Sequence, residues 1–423
     1  MPSQHFNDFC PNCNPILPKN NKNIVNSFMM TQKTSKAAYI HIPFCRRRCY
    51  YCDFAITVTG DRALENNSTM VVDYVNYLQQ EIKSIPANNS SLQTIFFGGG
   101  TPSLLPVAKL EEILTTVAQN LGIANDAEIS MEIDPGTFSK QQLQEYLNLG
   151  VNRFSLGVQT FDEELLKVCG RSHDREDIFT AIELIEQLNI DNWSLDLITG
   201  LPHQTLGQVE SSLATAIAIA PKHLSCYDLV LEPVTAFGKQ YEPGEQPLPT
   251  EETSAAMYAL TQQMLTNSGY EHYEISNYAQ PGYQCRHNKV YWQNESYYGF
   301  GMSAASYVNG KRYTRPRTRK EYYSWVINGA EIAVEETSKC DRLLETLMLG
   351  LRLAEGVSLS QISQEFGEQT INQILSTLQS YQQQNLIEIF TVNQEQRMRL
   401  SDPEGFLVSN TVLTSLFEIF EEN

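Results

Sequence analysis

The chain has 423 residues and 42% hydrophobic side chains, enough for two or three domains with a sizeable core. Acidic residues outnumber basic ones by 49 to 30, and the net charge of −19 argues against nonspecific binding to nucleic acid and leaves membrane contact at most peripheral. The sequence contains neither an apolar run of transmembrane length nor a secretory signal, so we expect a cytoplasmic protein. Its nine cysteines are an odd number, and three lie within eight residues, which in a large chain without a secretory signal indicates metal binding rather than a disulfide framework.

Residues 1–36 are rich in Asn, Gln, Ser and Lys and have no apolar period, which predicts a disordered N-terminal extension. Cys10 and Cys13 form a single CxxC without a second pair of ligands, so they are only a weak indication of zinc. Met29 and Met30 lie just before the first predicted strand, and the native start of translation could lie there.

A strand–helix alternation begins at residue 37 and predicts a core domain over residues 37–230. Strands are expected at 37–42, 92–97, 128–133, 152–157, 192–198 and 223–230, with helices at 71–84, 107–121, 139–149, 174–188 and 205–218. Strands joined in this way form parallel sheets with right-handed crossovers, so the fold class is α/β, a partial (β/α)6 barrel. Polar residues follow most of these strands, where such barrels carry their functional sites.

The rest of the chain predicts two further units. Residues 231–335 are irregular and rich in proline, tyrosine and asparagine, and we expect them to extend the barrel. Residues 336–423 have a helix–helix–helix–hairpin order that is typical of a small winged-helix module. They carry 5 basic and 13 acidic residues, the wrong sign for a DNA contact, so a structural or protein-binding role is favoured.

The first predicted strand is followed by Cys45, Cys49 and Cys52 in the spacing C-x3-C-x2-C. Three thiolates on one tight loop suit three irons of a 4Fe-4S cluster and leave its fourth iron open to another ligand. Structural zinc would need a fourth ligand, which the sequence does not offer nearby. From the spacing alone, zinc and free thiols remain alternatives. A glycine-rich GGGTP turn follows the second strand, and this combination favours the cluster.

In these motifs the chain resembles the radical S-adenosylmethionine superfamily. There the open iron is chelated by the amino and carboxylate groups of S-adenosylmethionine, and an electron from the cluster cleaves its C–S bond to give a 5′-deoxyadenosyl radical. The resemblance implies that Cys45, Cys49 and Cys52 hold the cluster. It also implies a second set of residues that contact the cofactor, namely Tyr39, Tyr51, Gly99, Gly100, Thr101, Glu132, Gln159, Arg171 and Asp196.

The segments YIHIPFC, GGGTPS, EIDPGT, GVQTFDEELL and LDLITGLPHQT resemble the heme chaperone HemW family and its paralogue, oxygen-independent coproporphyrinogen III dehydrogenase. The dehydrogenase has a fourth cysteine where this chain has Phe54, and HNxxYW at residues 287–292 is a mark of the HemW branch. The resemblance therefore implies a protein that binds heme and passes it to an acceptor protein, and that uses an electron donor. A radical enzyme, a coproporphyrinogen III dehydrogenase or one acting on another substrate, is the alternative, and enzymatic activity stays open.

His287, Tyr291 and Trp292 are the candidate heme site, because imidazole is a good axial ligand and the aromatic rings offer flat faces to a porphyrin. The alternative is a buried packing cluster that joins the barrel to the C-terminal module. Residues 311–320 contain six basic residues and no acid, and this basic strip could hold heme propionates or be a solvated loop. The sequence has no CxxCH motif of covalent c-type heme.

Overall fold

A computed structural model gives the fold and describes residues 35–61, 64–86, 91–331 and 337–421. The predicted N-terminal extension, with Cys10, Cys13 and both candidate start methionines, lies outside the described residues apart from its last two positions. None of the described helices is both long and apolar enough to cross a bilayer.

The described chain contains both long and very short strands. They are β1 Ala37–Ile42, β2 Phe44–Cys45, β3 Thr57–Val58, β4 Leu92–Gly99, β5 Ile123–Ile133, β6 Arg153–Gln159, β7 Trp193–Thr199, β8 His223–Asp228, β9 Glu271–Glu274, β10 Asn277–Ala279, β11 Tyr298–Phe300, β12 Ala305–Val308, β13 Lys311–Thr314, β14 Val357–Ser358, β15 Ile387–Val392 and β16 Glu395–Leu400.

The helices alternate with the strands as far as β8. They are α1 Thr69–Ser84, α2 Val107–Leu121, α3 Lys140–Asn148, α4 Glu163–Val168, α5 Arg175–Gln187, α6 Leu206–Ile219, α7 Ala236–Gln240, α8 Glu251–Asn267, α9 Arg286–Trp292, α10 Arg319–Ile327, α11 Lys339–Gly350, α12 Leu359–Phe366, α13 Glu368–Gln383, α14 Glu404–Leu407 and α15 Ser409–Glu421.

The main sheet has the strand order β11, β1, β4, β5, β6, β7, β8, β10, β9. Its first seven strands are parallel, and β10 and β9 complete it in antiparallel orientation. The parallel sheet with its helices confirms the predicted α/β class. The three added strands come from the region that the sequence predicted as irregular, because strands of three or four residues are too short to show a period.

The helices of the core begin and end where local chemistry dictates. Helices α3, α5 and α6 each begin with a capping box. In this motif the side chain of the N-cap residue accepts the backbone N–H of the third helical residue, and the side chain of that residue accepts the backbone N–H of the N-cap. After α3 the chain turns at Gly150, whose φ of 94° is a conformation that glycine adopts at little cost. The apolar faces of α1, α2, α3 and α5 then pack on the sheet in one continuous core.

The C-terminal residues form a second apolar core of their own. Helices α11, α12, α13 and α15 surround a three-stranded antiparallel sheet of order β14, β16, β15. The structure adds the short strand β14 and the short helix α14 to the helix–helix–helix–hairpin order expected from the sequence. Trp292 from α9, Tyr258 and Ile275 pack into this second core, so the middle segment joins it to the barrel.

Candidate functional site

A cavity lies at the carboxyl ends of the parallel strands, and all three predicted cluster cysteines line it. Their loop is held by β2 pairing with β3, and the N–H of Thr59 donates to the carbonyl of Cys45 at 2.8 Å. On the other side of the loop, the N–H of Tyr50 donates to the carbonyl of Cys169 at 3.0 Å. Backbone hydrogen bonds therefore fix the loop on both sides of the cysteines.

The donor set of this loop suits an anionic cluster. The Arg171 guanidinium donates to the Cys49 sulfur at 3.4 Å, and the Thr101 hydroxyl lies 3.5 Å from the Cys45 sulfur. Burial raises the pKa of the Cys45 thiol, and it raises the pKa of Cys52 to about 11, so both are protonated at neutral pH until metal displaces the proton. Among the described residues, no group of three His, Cys, Asp or Glu side chains is placed to hold a single metal ion. The donor set itself, sulfurs with a guanidinium and a hydroxyl beside them, fits an anionic iron–sulfur cluster.

The glycine-rich turn after β4 brings bare backbone against the cluster loop. The N–H groups of Gly100 and Thr101 donate to the carbonyls of Ile42 and Phe44, at 2.8 and 2.7 Å. A Cβ on Gly100 would lie 2.6 Å from the Phe44 carbonyl oxygen, and one on Gly99 would lie 2.4 Å from the His41 ring. Only glycine, which has no Cβ, allows the chain to come this close at both positions, and this explains why Gly99 and Gly100 stand there.

Two half-buried carboxyl groups, from Glu132 and Asp196, line the cavity. Glu132 ends β5, and its carboxylate accepts the Gly99 N–H at 3.0 Å. Burial raises the pKa of Glu132 to about 8, so its carboxyl group is largely protonated at neutral pH. Asp196 on β7 accepts a hydrogen bond from Ser155 at 3.0 Å, and burial raises its pKa too. A ligand that carries positive charge or hydroxyl groups would find partners here.

Arg171 connects the cluster loop to the strand ends. Its guanidinium donates to the carboxylate of Asp134 at 2.7 Å, to the carbonyl of Gly157 at 2.9 Å and to the Tyr51 hydroxyl at 3.3 Å. Asp134 also accepts from Thr101 at 3.1 Å. The Arg171 side chain is 8% exposed and lines the cavity, so it does not form an ordinary surface ion pair.

Gln159 is turned into the cavity by the backbone. It lies at a register shift between β6 and β7 and has a φ of 71°, a conformation uncommon for residues other than glycine. Strain of this kind is found mostly at functional positions.

The structure brings eight of the nine predicted cofactor residues to the wall of this cavity. Tyr39 is the exception, because it lies behind Gly98, beside Glu132, and shares a 3.0 Å hydrogen bond with the His41 ring. Sequence reasoning did not assign several other lining residues, which are Arg46, Arg47, Asp53, Phe54, Ile56, Asp134, Ser155, Tyr227, Asp228 and Val230. Position at the end of a strand points to Asp134, as the sequence already indicated, and equally to Tyr227, Asp228 and Val230. The residues from Arg46 to Ile56 neighbour the cysteines, and Ser155, inside β6, carries no such signal.

The HNxxYW motif occupies α9 at the opposite, amino-terminal end of the barrel. His287 is fully buried, with its ring nitrogens 2.9 Å from the Thr94 hydroxyl and 2.8 Å from the Tyr291 hydroxyl. Its ring also stacks on Phe96, and burial lowers its pKa to about 3. Trp292 packs into the second core. In this conformation the motif forms the packing cluster that the sequence left as the alternative, and both nitrogens are engaged.

The basic strip at 311–320 is largely engaged in protein contacts. Arg315 is buried and pairs with buried Glu81 at 2.7 Å, while Arg317 pairs with Asp53 beside the cluster loop. Arg312 lies 3.5 Å from the carboxylate of Glu345 in the C-terminal module. These arginines attach the β12–β13 hairpin to its surroundings.

Known proteins share these features along most of the chain. Residues 39–216 match the family model of the Radical SAM superfamily, and residues 337–407 match that of the HemN C-terminal domain. A heme chaperone HemW from Synechocystis sp. is 52% identical over 408 residues, which cover 92% of this chain and 97% of that protein. A heme chaperone HemW from Bacillus subtilis is 35% identical, over 89% of this chain and 98% of that protein.

A solved structure resembles the whole fold. Coproporphyrinogen III oxidase (HemN) from Escherichia coli, described as a radical SAM enzyme, superposes with a TM-score of 0.74 over 90% of this chain and 89% of that one. At 23% identity this likeness shows the fold alone. By its sequence identity to the relatives above, this chain belongs to the heme chaperone HemW family, within the radical SAM superfamily.

Proposed function

We propose that this protein is a heme chaperone, which binds heme and transfers it to an acceptor protein. The observation that carries the proposal is the 52% identity, over 92% of the chain, to a relative named as a heme chaperone. Phe54 supports it, because the resemblance places a fourth cysteine of the porphyrinogen dehydrogenase at this position. An electron donor completes the expected set of partners.

The cofactors of the proposal are one 4Fe-4S cluster on Cys45, Cys49 and Cys52 and an exchangeable S-adenosylmethionine on the open iron. When bound, the cluster supplies an electron and a coordination site for the amino-acid end of the cofactor. Around it, Arg171 lies beside the Cys49 sulfur, and Glu132 and Asp196 offer carboxyl groups that line the cavity.

The cluster assignment is tested by counting iron in protein purified without oxygen. We expect about four irons per chain, and loss of the iron–sulfur absorbance on replacing Cys45, Cys49 or Cys52 by alanine. Alanine at the remaining described cysteines is the matched control and should leave the cluster intact, at Cys169, Cys226, Cys285 and Cys340. If one of these four proved essential, the three-thiolate assignment would be wrong.

Heme delivery is tested by mixing the heme-loaded protein with the apo form of a heme-dependent oxidoreductase from the same cell. A chaperone should restore the acceptor's heme spectrum faster than it releases heme to an unrelated scavenger such as apomyoglobin, because a specific complex bypasses release into water. Equal rates to both proteins would mean passive loss and would remove the delivery claim.

A radical SAM oxidoreductase remains the second candidate. The observation that favours it is that eight of the nine predicted cofactor residues line one cavity, since a carrier has no evident need for radical chemistry. Turnover of coproporphyrinogen III by the wild-type protein would establish this alternative.

A further inference from the structure

Three apolar side chains lie at the mouth of the cavity, although charged residues line the same cavity. Phe54 and Ile56, which follow the cluster cysteines, are half-buried and line it, and Val230 after β8 lines it with 44% of its surface exposed. We call these three residues the apolar wall.

The same mouth carries positive charge on one side. Arg46 and Arg47 belong to the cluster loop and line the cavity. Arg47 reaches one carboxylate, Asp61, at 3.6 Å, but both side chains are more than half exposed, so this pair is weak. Of the acids that line the cavity near these arginines, Asp53 is already paired with Arg317, whereas Asp228 ends β8 and Glu232 follows it. An anionic group would therefore be drawn to the cluster-loop side.

A flat, apolar ring with carboxylates at one edge matches this arrangement, and heme has this shape and charge. We propose that heme binds across the mouth of the cluster cavity, with its macrocycle on the apolar wall and its propionates on Arg46 and Arg47. This inference rests on the proposed function, because it assigns a place to the heme of the chaperone.

The other two candidate places for heme are less available. At the HNxxYW motif, His287 is fully buried and both of its nitrogens are hydrogen-bonded, so iron ligation would require these bonds to break and the ring to become exposed. In the basic strip, Arg315 and Arg317 already pair with carboxylates. Binding at the mouth needs neither rearrangement.

Heme at the mouth also gives the carrier a use for its cofactors. The cluster cysteines and the glycine-rich turn line the cavity below the mouth, so a bound cluster and S-adenosylmethionine would form the bottom of the heme site. Heme would then cover the exit of S-adenosylmethionine, and the two ligands would be thermodynamically linked.

The first test is heme titration of the anaerobically reconstituted protein and of two mouth variants, Arg46→Gln with Arg47→Gln, and Val230→Asp. Each should raise the Kd for heme about tenfold, through lost charge-assisted hydrogen bonds or through a carboxylate placed against the ring. Iron per chain is measured in each variant. Arg319→Gln with Lys320→Gln removes the same charge from the basic strip and should leave the Kd within about twofold.

The second test needs no variant and so does not depend on folding. The dissociation rate of bound S-adenosylmethionine from the wild-type protein should fall at least about tenfold when heme is bound, because the exit is covered. An unchanged release rate would overturn the mouth site, as would mouth variants with wild-type Kd. Failure of the wild-type protein to bind heme at all would instead overturn the proposed function.

Discussion

His287 shows how burial changes the meaning of a residue that looks like a ligand. On the sequence it is a histidine beside tyrosine and tryptophan, and both heme ligation and packing fit that pattern. In the fold its ring lies at the amino-terminal end of the barrel, where the hydroxyl groups of Thr94 and Tyr291 form hydrogen bonds with its two nitrogens. The Thr94 contact joins residues 193 positions apart, and no local pattern could have predicted it.

The buried state of His287 has a measurable pH signature. Its pKa is lowered to about 3 when folded, against about 6.5 when unfolded, so below pH 6.5 only the unfolded chain takes up the proton. This group therefore contributes less stability as the pH falls. The stability difference between wild type and His287→Gln, measured by urea unfolding, should shrink by up to about 2 kcal/mol from pH 7.5 to pH 5. A constant difference would mean an accessible imidazole with an ordinary pKa.

Glu132 gives a pH dependence of the same sign, but in cofactor binding rather than in stability. Its pKa is raised to about 8 by burial, so the carboxyl group must lose a proton before it can pair with a cationic ligand. We predict that the affinity of the reconstituted protein for S-adenosylmethionine rises between pH 6.5 and 8 and levels off above that. Glu132→Gln should remove this rise, and calorimetry across the pH range measures both. Parallel profiles in the two proteins would exclude Glu132 from the contact.

At the scale of elements, the cluster loop depends on its neighbour, the turn after β4. The spacing of the cysteines predicts a metal loop, but the contacts that hold it come from residues distant in sequence, such as Gly100 and Cys169. Arg171 and Asp134 likewise meet only because β5 and β6 are adjacent in the sheet. Strand order is a property of the whole fold, so the sequence could predict the strands and the polar residues after them but not these pairs.

The turn's contribution is tested by Gly100→Ala. A Cβ there would lie 2.6 Å from a backbone oxygen of the cluster loop, which cannot move without shifting the loop. We expect a loss of about 1–3 kcal/mol in stability and reduced iron incorporation. Gly207→Ala is the matched control, since a Cβ there meets nothing within 4 Å and the change should be neutral or slightly stabilising. Similar iron content in both variants would contradict a structural link between turn and cluster.

Substitution of Arg315 tests whether the buried ion pair with Glu81 holds the β12–β13 hairpin in place. Its guanidinium pairs with Glu81, which is 1% exposed and also accepts from Tyr322 at 2.6 Å. Arg315→Met would leave a buried carboxylate without its counter-ion, so we expect a loss of about 3–5 kcal/mol in unfolding free energy. Lys320→Met, an exposed change in the same strip, should lie within about 0.5 kcal/mol of wild type. If both variants behaved alike, the buried pair would not hold the hairpin.

At the scale of the whole molecule, the two cores meet through the segment after β8. We propose that the divisions expected from sequence, at residues 37–230, 231–335 and 336–423, describe a barrel, its extension and a C-terminal module. The extension was predicted only as irregular, yet it supplies β9, β10 and β11 to the sheet and Trp292 to the second core. Elements of three to seven residues gain their conformation from packing, which sequence periodicity does not register.

The N-terminal residues allow a simple test of what the fold needs. Residues 1–29 carry no periodic apolar face. A chain that starts at Met30 should therefore fold, assemble the cluster and bind S-adenosylmethionine as the full chain does. Iron content and cofactor affinity of the two chains measure this. Loss of either on truncation would assign a structural role to the first 29 residues, and Cys10 and Cys13 would be the first residues to substitute.

The claim that this protein carries heme rather than oxidises a porphyrinogen is tested most directly on one anaerobic, cluster-loaded preparation. Half is titrated with heme, and half is incubated with coproporphyrinogen III, S-adenosylmethionine and a reductant. We predict saturable binding of about one heme per chain and no conversion of coproporphyrinogen. Sustained turnover of coproporphyrinogen, or the absence of saturable heme binding, would contradict the assignment as a heme chaperone.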